Sequence, residues 1–153
     1  MRGLFQSSLR AGWLVASVLA PGIALAALGG DASTVEHDAT QLRAMRSVSA
    51  TTAYSVHELQ TAEGGTVREY VNPANKVFAV VWKAPIIPDL RQLLGDYFPR
   101  LNKAAQAIGH ARRGVDLKES DLVIRTGGHQ RAFFGVAYLP AQMPQGVTLD
   151  SLR

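Results

Sequence analysis

Residues 66–83 constrain this chain more than any other stretch. Two strand-like runs, 66–71 and 76–83, flank Asn72-Pro73-Ala74-Asn75. Proline presets φ at the second position of a turn, and asparagine tolerates the left-handed conformation that closes a short hairpin loop. The chain must therefore double back here as an antiparallel hairpin. Pairing Asn72 with Lys76 sets Val71 opposite Val77, Tyr70 opposite Phe78 and Val67 opposite Val81. In that register the valines share one face, and Tyr70, Phe78, Val80 and Trp82 share the other. A strand that is apolar on both faces belongs inside a sheet rather than at its edge.

The neighbouring segments extend this hairpin into an α+β domain. Residues 54–60 form a further strand, joined to 66–71 through Glu63-Gly64-Gly65. Before them, residues 31–50 read as a helix. Ser33-Thr34-Val35-Glu36 matches a capping box, and Val35, Ala39, Leu42, Met45 and Val48 recur at helical spacing. Leu28-Gly29-Gly30 precedes it as a flexible start. After the hairpin, Pro85 and Pro88 stop the strand and Asp89 caps a second helix. Its Leu90, Leu93, Leu94, Tyr97 and Phe98 fall on one face. Pro99 bends that helix or begins another, continued by Leu101, Ala104, Ala105 and Ile108 until Gly109. Residues 110–119 read as a polar loop. Residues 120–125 and 130–139 are two strands around the turn Thr126-Gly127-Gly128-His129. The expected order is α-β-β-β-α-β-β, an antiparallel sheet of about five strands packed with two main helices. Residues 148–153 form a loosely held tail.

Ahead of that domain, residues 1–26 have the three parts of a secretory signal. Arg2 and Arg10 make a positive start, residues 11–20 are apolar, and Ala24-Leu25-Ala26 supplies small residues before a cut between Ala26 and Ala27. The apolar stretch is shorter than the ~20 residues of a spanning helix and is broken at Pro21-Gly22. The domain after it, 27–147, has no later apolar run long enough to span a bilayer as a helix. Removing the leader leaves 14 basic against 12 acidic residues, a net charge of +2. With no basic block longer than Arg112-Arg113, that balance argues against nucleic acid as a partner. The chain has no cysteine, so neither a disulfide framework nor a lipidated cysteine at the cleavage site is available. These features predict a periplasmic or secreted protein.

Several runs carry a resemblance. They are Val56-His57-Glu58-Leu59-Gln60, Thr66-Val67-Arg68-Glu69-Tyr70-Val71, Val77-Phe78-Ala79-Val80-Val81-Trp82, Pro88-Asp89-Leu90 and Leu93-Leu94-Gly95. Gly127-Gly128-His129, Arg131-Ala132-Phe133-Phe134-Gly135 and Ala137-Tyr138-Leu139-Pro140 continue it. Together they resemble the family of small secreted bacterial proteins catalogued as domain of unknown function 2844, over residues 27–147. The resemblance implies a proteobacterial exported protein. It implies no activity, cofactor or site residue.

The chemistry in the residues themselves is sparse. No G-x-S-x-G elbow, S-x-x-K pair or H-E-x-x-H helix occurs, and no cysteine nucleophile exists. His37, His57, His110 and His129 lack the paired spacing that places two metal ligands on one face, and no cofactor is implied. Glu58 and Glu69 lie opposite each other in one permitted register of the first hairpin, where they could act as acid and base. The alternative is that they are solvated, or pair with Arg68 or Lys83. The most pointed candidate is an anion site at the second hairpin, made of Arg125, Gly127, Gly128, His129 and Arg131. A glycine turn there would offer backbone N–H groups beside two guanidinium groups. Trp82, Phe133 and Phe134 are core candidates first. The reading that follows is a non-enzymatic binding module of the envelope. Its partner is a protein or polymer, and an edge strand at 54–60 or 120–125 takes the partner's strand. The alternative is a small-ligand carrier or enzyme with a pocket between helix 89–98 and the sheet, near Trp82 and Tyr97.

Overall fold

The computed structural model describes residues 28–109 and 114–152. The leader 1–26 and His110 lie outside these residues. Helix α1 (Val35–Gln41) is followed by four strands, β1 (Met45–Ala50), β2 (Ser55–Gln60), β3 (Thr66–Val71) and β4 (Val77–Ala84). Helices α2 (Leu90–Leu94) and α3 (Phe98–Ile108) then cross to β5 (Asp116–Lys118), β6 (Val123–His129) and β7 (Ala132–Tyr138). The strands form one antiparallel sheet in the order β1-β2-β3-β4-β7-β6-β5. The fold is thus α+β as expected, with seven strands in place of five.

Both added strands lie where the sequence reads as something else. The helix expected over 31–50 ends at Gln41, and its C-terminal third is β1. Arg43 takes a left-handed φ of 47°, which breaks the helix. The following Ser47-Val48-Ser49-Ala50-Thr51-Thr52 is poor in helix formers, and pairing with β2 satisfies its backbone. Strand β5 occupies part of the expected loop 110–119. Its three residues form a strand only because β6 lies alongside.

The central hairpin forms with one consequential change. The Asn72 N–H donates to the Lys76 carbonyl at 2.9 Å, and Asn75 has φ 62°, as the turn requires. Val71 lies opposite Val77, but Tyr70 lies opposite Ala79, so Phe78 is an extra residue without a partner on β3. This β-bulge reverses the faces of everything after it on β4. Val67 pairs with Trp82 instead of Val81. Val80 and Trp82 therefore join Val67, Val71 and Val77 in the core beneath the helices. Phe78 and Ala79 join Tyr70 on the opposite face.

The main core lies between the helices and the sheet. Leu93 and Leu94 of α2, Leu101 of α3 and Val35 of α1 close over Leu59, Val67, Val80, Trp82, Ile124 and Ala137. Asp89 caps α2 by accepting from the N–H groups of Arg91 and Gln92, and Pro99 sits in the first turn of α3. Arg100 bridges α3 to the β5–β6 connection through both oxygens of Asp121, at 2.8 and 2.7 Å. The start of the described chain is fastened rather than flexible. Leu28 is buried and its N–H donates to the Leu93 carbonyl at 3.0 Å, while Gly29 donates to Val77 at 2.7 Å.

The opposite face is open except at one end. There the rings of Tyr54, Tyr70 and Phe78 meet edge-on or tilted, with centroids 5.7 to 6.2 Å apart. Met143, Val147, Leu149 and Leu152 cover them. Residues 148–152 are therefore not a loose tail, and buried Leu152 completes this second core.

Trp82 depends on a glycine. It lies directly opposite Gly135 on β7, where a Cβ would fall 2.1 Å from the indole Cζ2. At Gly127 a Cβ would fall 2.7 Å from the end of the Phe134 ring, which is half exposed and free to swing. Gly135→Ala is therefore expected to cost about 1–3 kcal/mol of stability by overpacking. Gly127→Ala should cost clearly less. Urea denaturation of the two variants measures the difference.

Candidate functional site

The second hairpin does not gather its anion-site candidates at a glycine turn. Gly127 and Gly128 lie within β6, opposite Phe134 and Phe133, and the turn is Gln130-Arg131 with Arg131 at φ 68°. Arg125 lies four residues before His129, about 13 Å along an extended strand. Its Nε pairs with Asp116 Oδ1 at 3.3 Å. The His129 ring packs its Nδ1 3.1 Å from the Gln130 carbonyl oxygen. These five residues are strung along the hairpin rather than converging on one point.

Glu58 and Glu69 do not adopt the register that would oppose them, and the alternative, pairing with Arg68, holds for Glu58. Glu58 pairs across the strands with Arg68, and Glu69 with His57, so the two glutamates point to opposite faces. Glu58 accepts from Arg68 Nε at 2.6 Å, and that hydrogen bond holds its carboxyl below the usual range. The registry of β2 and β3 decided this, and hairpin composition alone does not.

Glu69 instead meets a partner that sequence reasoning missed. It points into the main core beneath α1, where its carboxyl contacts that of Asp38. Both are buried, at 0% exposure for Asp38 and 2% for Glu69. Gln92 of α2 donates its side-chain amide to Asp38 Oδ1. Asp38 Oδ2 and Glu69 Oε2 have no hydrogen-bond partner. Burial raises the Asp38 pKa to about 6 against the lowering effect of its contacts with Glu69, Gln92 and His37. Burial raises Glu69 well above its ordinary range, and the adjacent Asp38 raises it further. Two carboxylates in contact cannot both ionise cheaply, so the pair keeps one proton near neutral pH. The available signal was Asp38 at helical spacing among Val35, Ala39 and Leu42, an acid on an apolar stripe. Nothing in the sequence pointed to Glu69 as its partner.

Polar side chains lie between this pair and the sheet edge. His57, directly opposite Glu69, has its Nδ1 3.3 Å from Arg46 Nη1 and its Nε2 3.4 Å from Ser55 Oγ. Burial and the nearby Arg46 guanidinium lower the His57 pKa, keeping the ring neutral. Arg46 Nη2 also pairs with Glu36 at 3.0 Å. Both carboxyls are closed off from solvent. Among the described residues no group of three or more His, Asp or Glu is placed to hold a metal ion.

The sheet has two edges of opposite character. Strand β5 is three residues long and carries Asp116 and Lys118, the short, charged form that discourages further pairing. Strand β1 is six residues long and exposed throughout, with Met45 at 81% and Val48 at 54%. It contains no proline and no bulge, and its one charge, Arg46, is engaged by Glu36 and His57. The expected edges, 54–60 and 120–125, are both interior: β2 lies between β1 and β3, and β6 between β5 and β7.

One cavity coincides with a sequence-based expectation. About 210 Å³ lies between α2–α3 and the sheet, bounded by Trp82, Leu90, Leu101, Ala105, Val115 and Phe133. Its polar side chain, Thr126, is occupied in accepting the Val115 N–H at 3.0 Å. Tyr97, expected beside Trp82 here, lies elsewhere, against Gly29 and Arg100.

Comparison with known proteins yields one match. The family model described as a protein of unknown function (DUF2844) covers residues 24–152. No curated protein and no solved structure matches the chain.

Proposed function

The chain belongs to the DUF2844 family, and from that premise we propose that it is an exported, non-enzymatic binding module of the cell envelope. Its docking element is edge strand β1, and its occupant is an extended segment of a partner polypeptide. The observation that carries this reading is the contrast between the two sheet edges. One is short and charged, and the other is six residues long, exposed, and without proline, bulge or free charge. Unguarded edges of that kind invite strand pairing. In such pairing main-chain hydrogen bonds supply affinity and alternate side chains supply selectivity. Met45 and Val48, on opposite faces of β1, offer an apolar contact on each side of an added strand.

Export is supported by the basic, apolar and small-residue order of residues 1–26. Leu28 is the first described residue and lies in the core, so the proposed cut between Ala26 and Ala27 keeps every described residue in the mature protein. N-terminal sequencing of the protein isolated from its host should begin at Ala27. Recovery from the cytoplasm with Met1 retained would remove the export reading.

For the docking edge, a photo-crosslinking residue at Ser47 should capture one mapped segment in the native envelope, and the same residue at Leu117 on β5 should not. A synthetic peptide of that segment should slow amide exchange of residues 45–50 by about tenfold or more, as strand pairing does, and Ser47→Pro should abolish the effect. Unchanged exchange with the peptide bound sinks the proposal.

A second reading rests on the cavity beside Trp82. Its apolar walls suit an uncharged ligand about the size of one aromatic ring, since ~150 Å³ suffices for benzene in an apolar protein cavity. The chain has two tryptophans, Trp13 in the leader and Trp82, so Trp82 alone reports on the cavity once the leader is removed. Saturable quenching of its emission by toluene or indole-free aromatics, lost in Ala105→Phe, is the expected outcome of this reading. Emission unchanged up to millimolar ligand counts against it.

A further inference from the structure

We propose that Asp38 and Glu69 form a proton-held latch that clamps α1 to the sheet and lets it go as the pH rises. The proposal stands on geometry and holds whether or not β1 is a docking edge. Helix α1 has seven residues, and its inward face is Val35, Asp38 and Ala39. Asp38 therefore sits in the middle of the buried face of α1, against a second carboxyl rather than a cation. Positive charge reaches the pair only through space: His37 acts on Asp38 and Arg46 of β1 acts on Glu69, each favouring the ionised carboxyl against the larger effect of burial. Gln92 from α2 donates one hydrogen bond to Asp38 Oδ1. On α1 itself, Glu36 is turned to Arg46 of β1, and His37 exerts only a charge effect on Asp38. From β2, His57 faces Glu69 but is engaged with Arg46 and Ser55. Val80 of β4, on the other side of Glu69, is apolar.

One oxygen on each carboxyl has no hydrogen-bond partner. With a proton between them the pair is a neutral–anionic hydrogen bond tolerable in the core. Without it, two like charges share one dry space, and solvent is reached most directly by lifting α1. Raised carboxyl pKa values in the closed state and ordinary ones in the open state give the sign. The clamp is complete below the ordinary value of 3.8 for Asp38 and weakens as pH rises through about 6, with Glu69 extending the loss above that. His57 works the other way. Its pKa is lowered in the fold, so its contribution is present above 6.5 and is lost as the pH falls. The two effects are therefore separable by mutation.

Amide exchange of the isolated protein, expressed as protection factors at pH 5 and pH 8, tests the latch. In the wild type, residues 35–41 should lose protection by about tenfold or more between the two, one pKa unit of linkage, while β6 and β7 keep theirs. Asp38→Asn should shrink the α1 loss, because the asparagine amide donates to Glu69 at every pH and its carbonyl still accepts from Gln92, leaving only the part that the burial of Glu69 itself carries. Glu69→Gln provides the same test from the sheet side should the first variant fold poorly. A flat wild-type profile overturns the proposal. So does a loss shared equally with β6 and β7, or one that is undiminished in a folded Asp38→Asn.

Discussion

The bulge at Phe78 is the constraint on which the rest of this structure depends. A pleated strand sends successive side chains to alternate faces, so one extra residue exchanges the two faces for every position beyond it. On β4 that exchange turns Val80 and Trp82 toward the helices and leaves Phe78 and Ala79 with the aromatic group on the other side. The bulge also frees the Phe78 carbonyl, which accepts the Leu139 N–H at 2.9 Å and extends the contact between β4 and the end of β7. The division of β4 between the two cores follows from that single insertion.

Against this apolar framework the Asp38–Glu69 pair stands out. Burying ionisable groups opposes folding unless they are paired and hydrogen-bonded, and a pair of acids satisfies that condition only by holding a proton. An apolar pair of the same volume at these positions would in general be at least as stable. What a carboxyl pair adds is a dependence on pH and a fixed orientation of α1 over β3. His57 and Arg46 lie between these acids and the sheet edge, so the buried pair sits close to the most exposed strand.

The two functional readings divide the molecule between them. Pairing at β1 uses backbone groups on the outside of the sheet and asks nothing of the core. Occupancy of the 210 Å³ cavity uses the opposite end of the sheet, where Trp82, Leu101 and Phe133 face one another. Neither involves an open catalytic group. The Asp38–Glu69 pair is sealed, and the second hairpin spreads its arginines apart instead of converging them.

Local chemistry along the chain determined much of the scaffold. Asn72-Pro73-Ala74-Asn75 set the central turn, Asp89 set the start of α2, Pro99 set the start of α3, and the two apolar faces of 76–83 made β4 interior. These signals act over a few residues, through fixed φ, a free backbone N–H or the absence of one. Only the tertiary structure decided the rest. Residues 45–50 satisfy a helical spacing but are a strand, because β2 offers them a hydrogen-bonded edge. Residues 116–118 are a strand for the same reason. Glu69 was visible as an alternating strand residue, yet its partner lies 31 positions earlier on α1. Spacing cannot encode a contact between two elements whose separation is set by a bulge, a sheet order and the packing of helices across it.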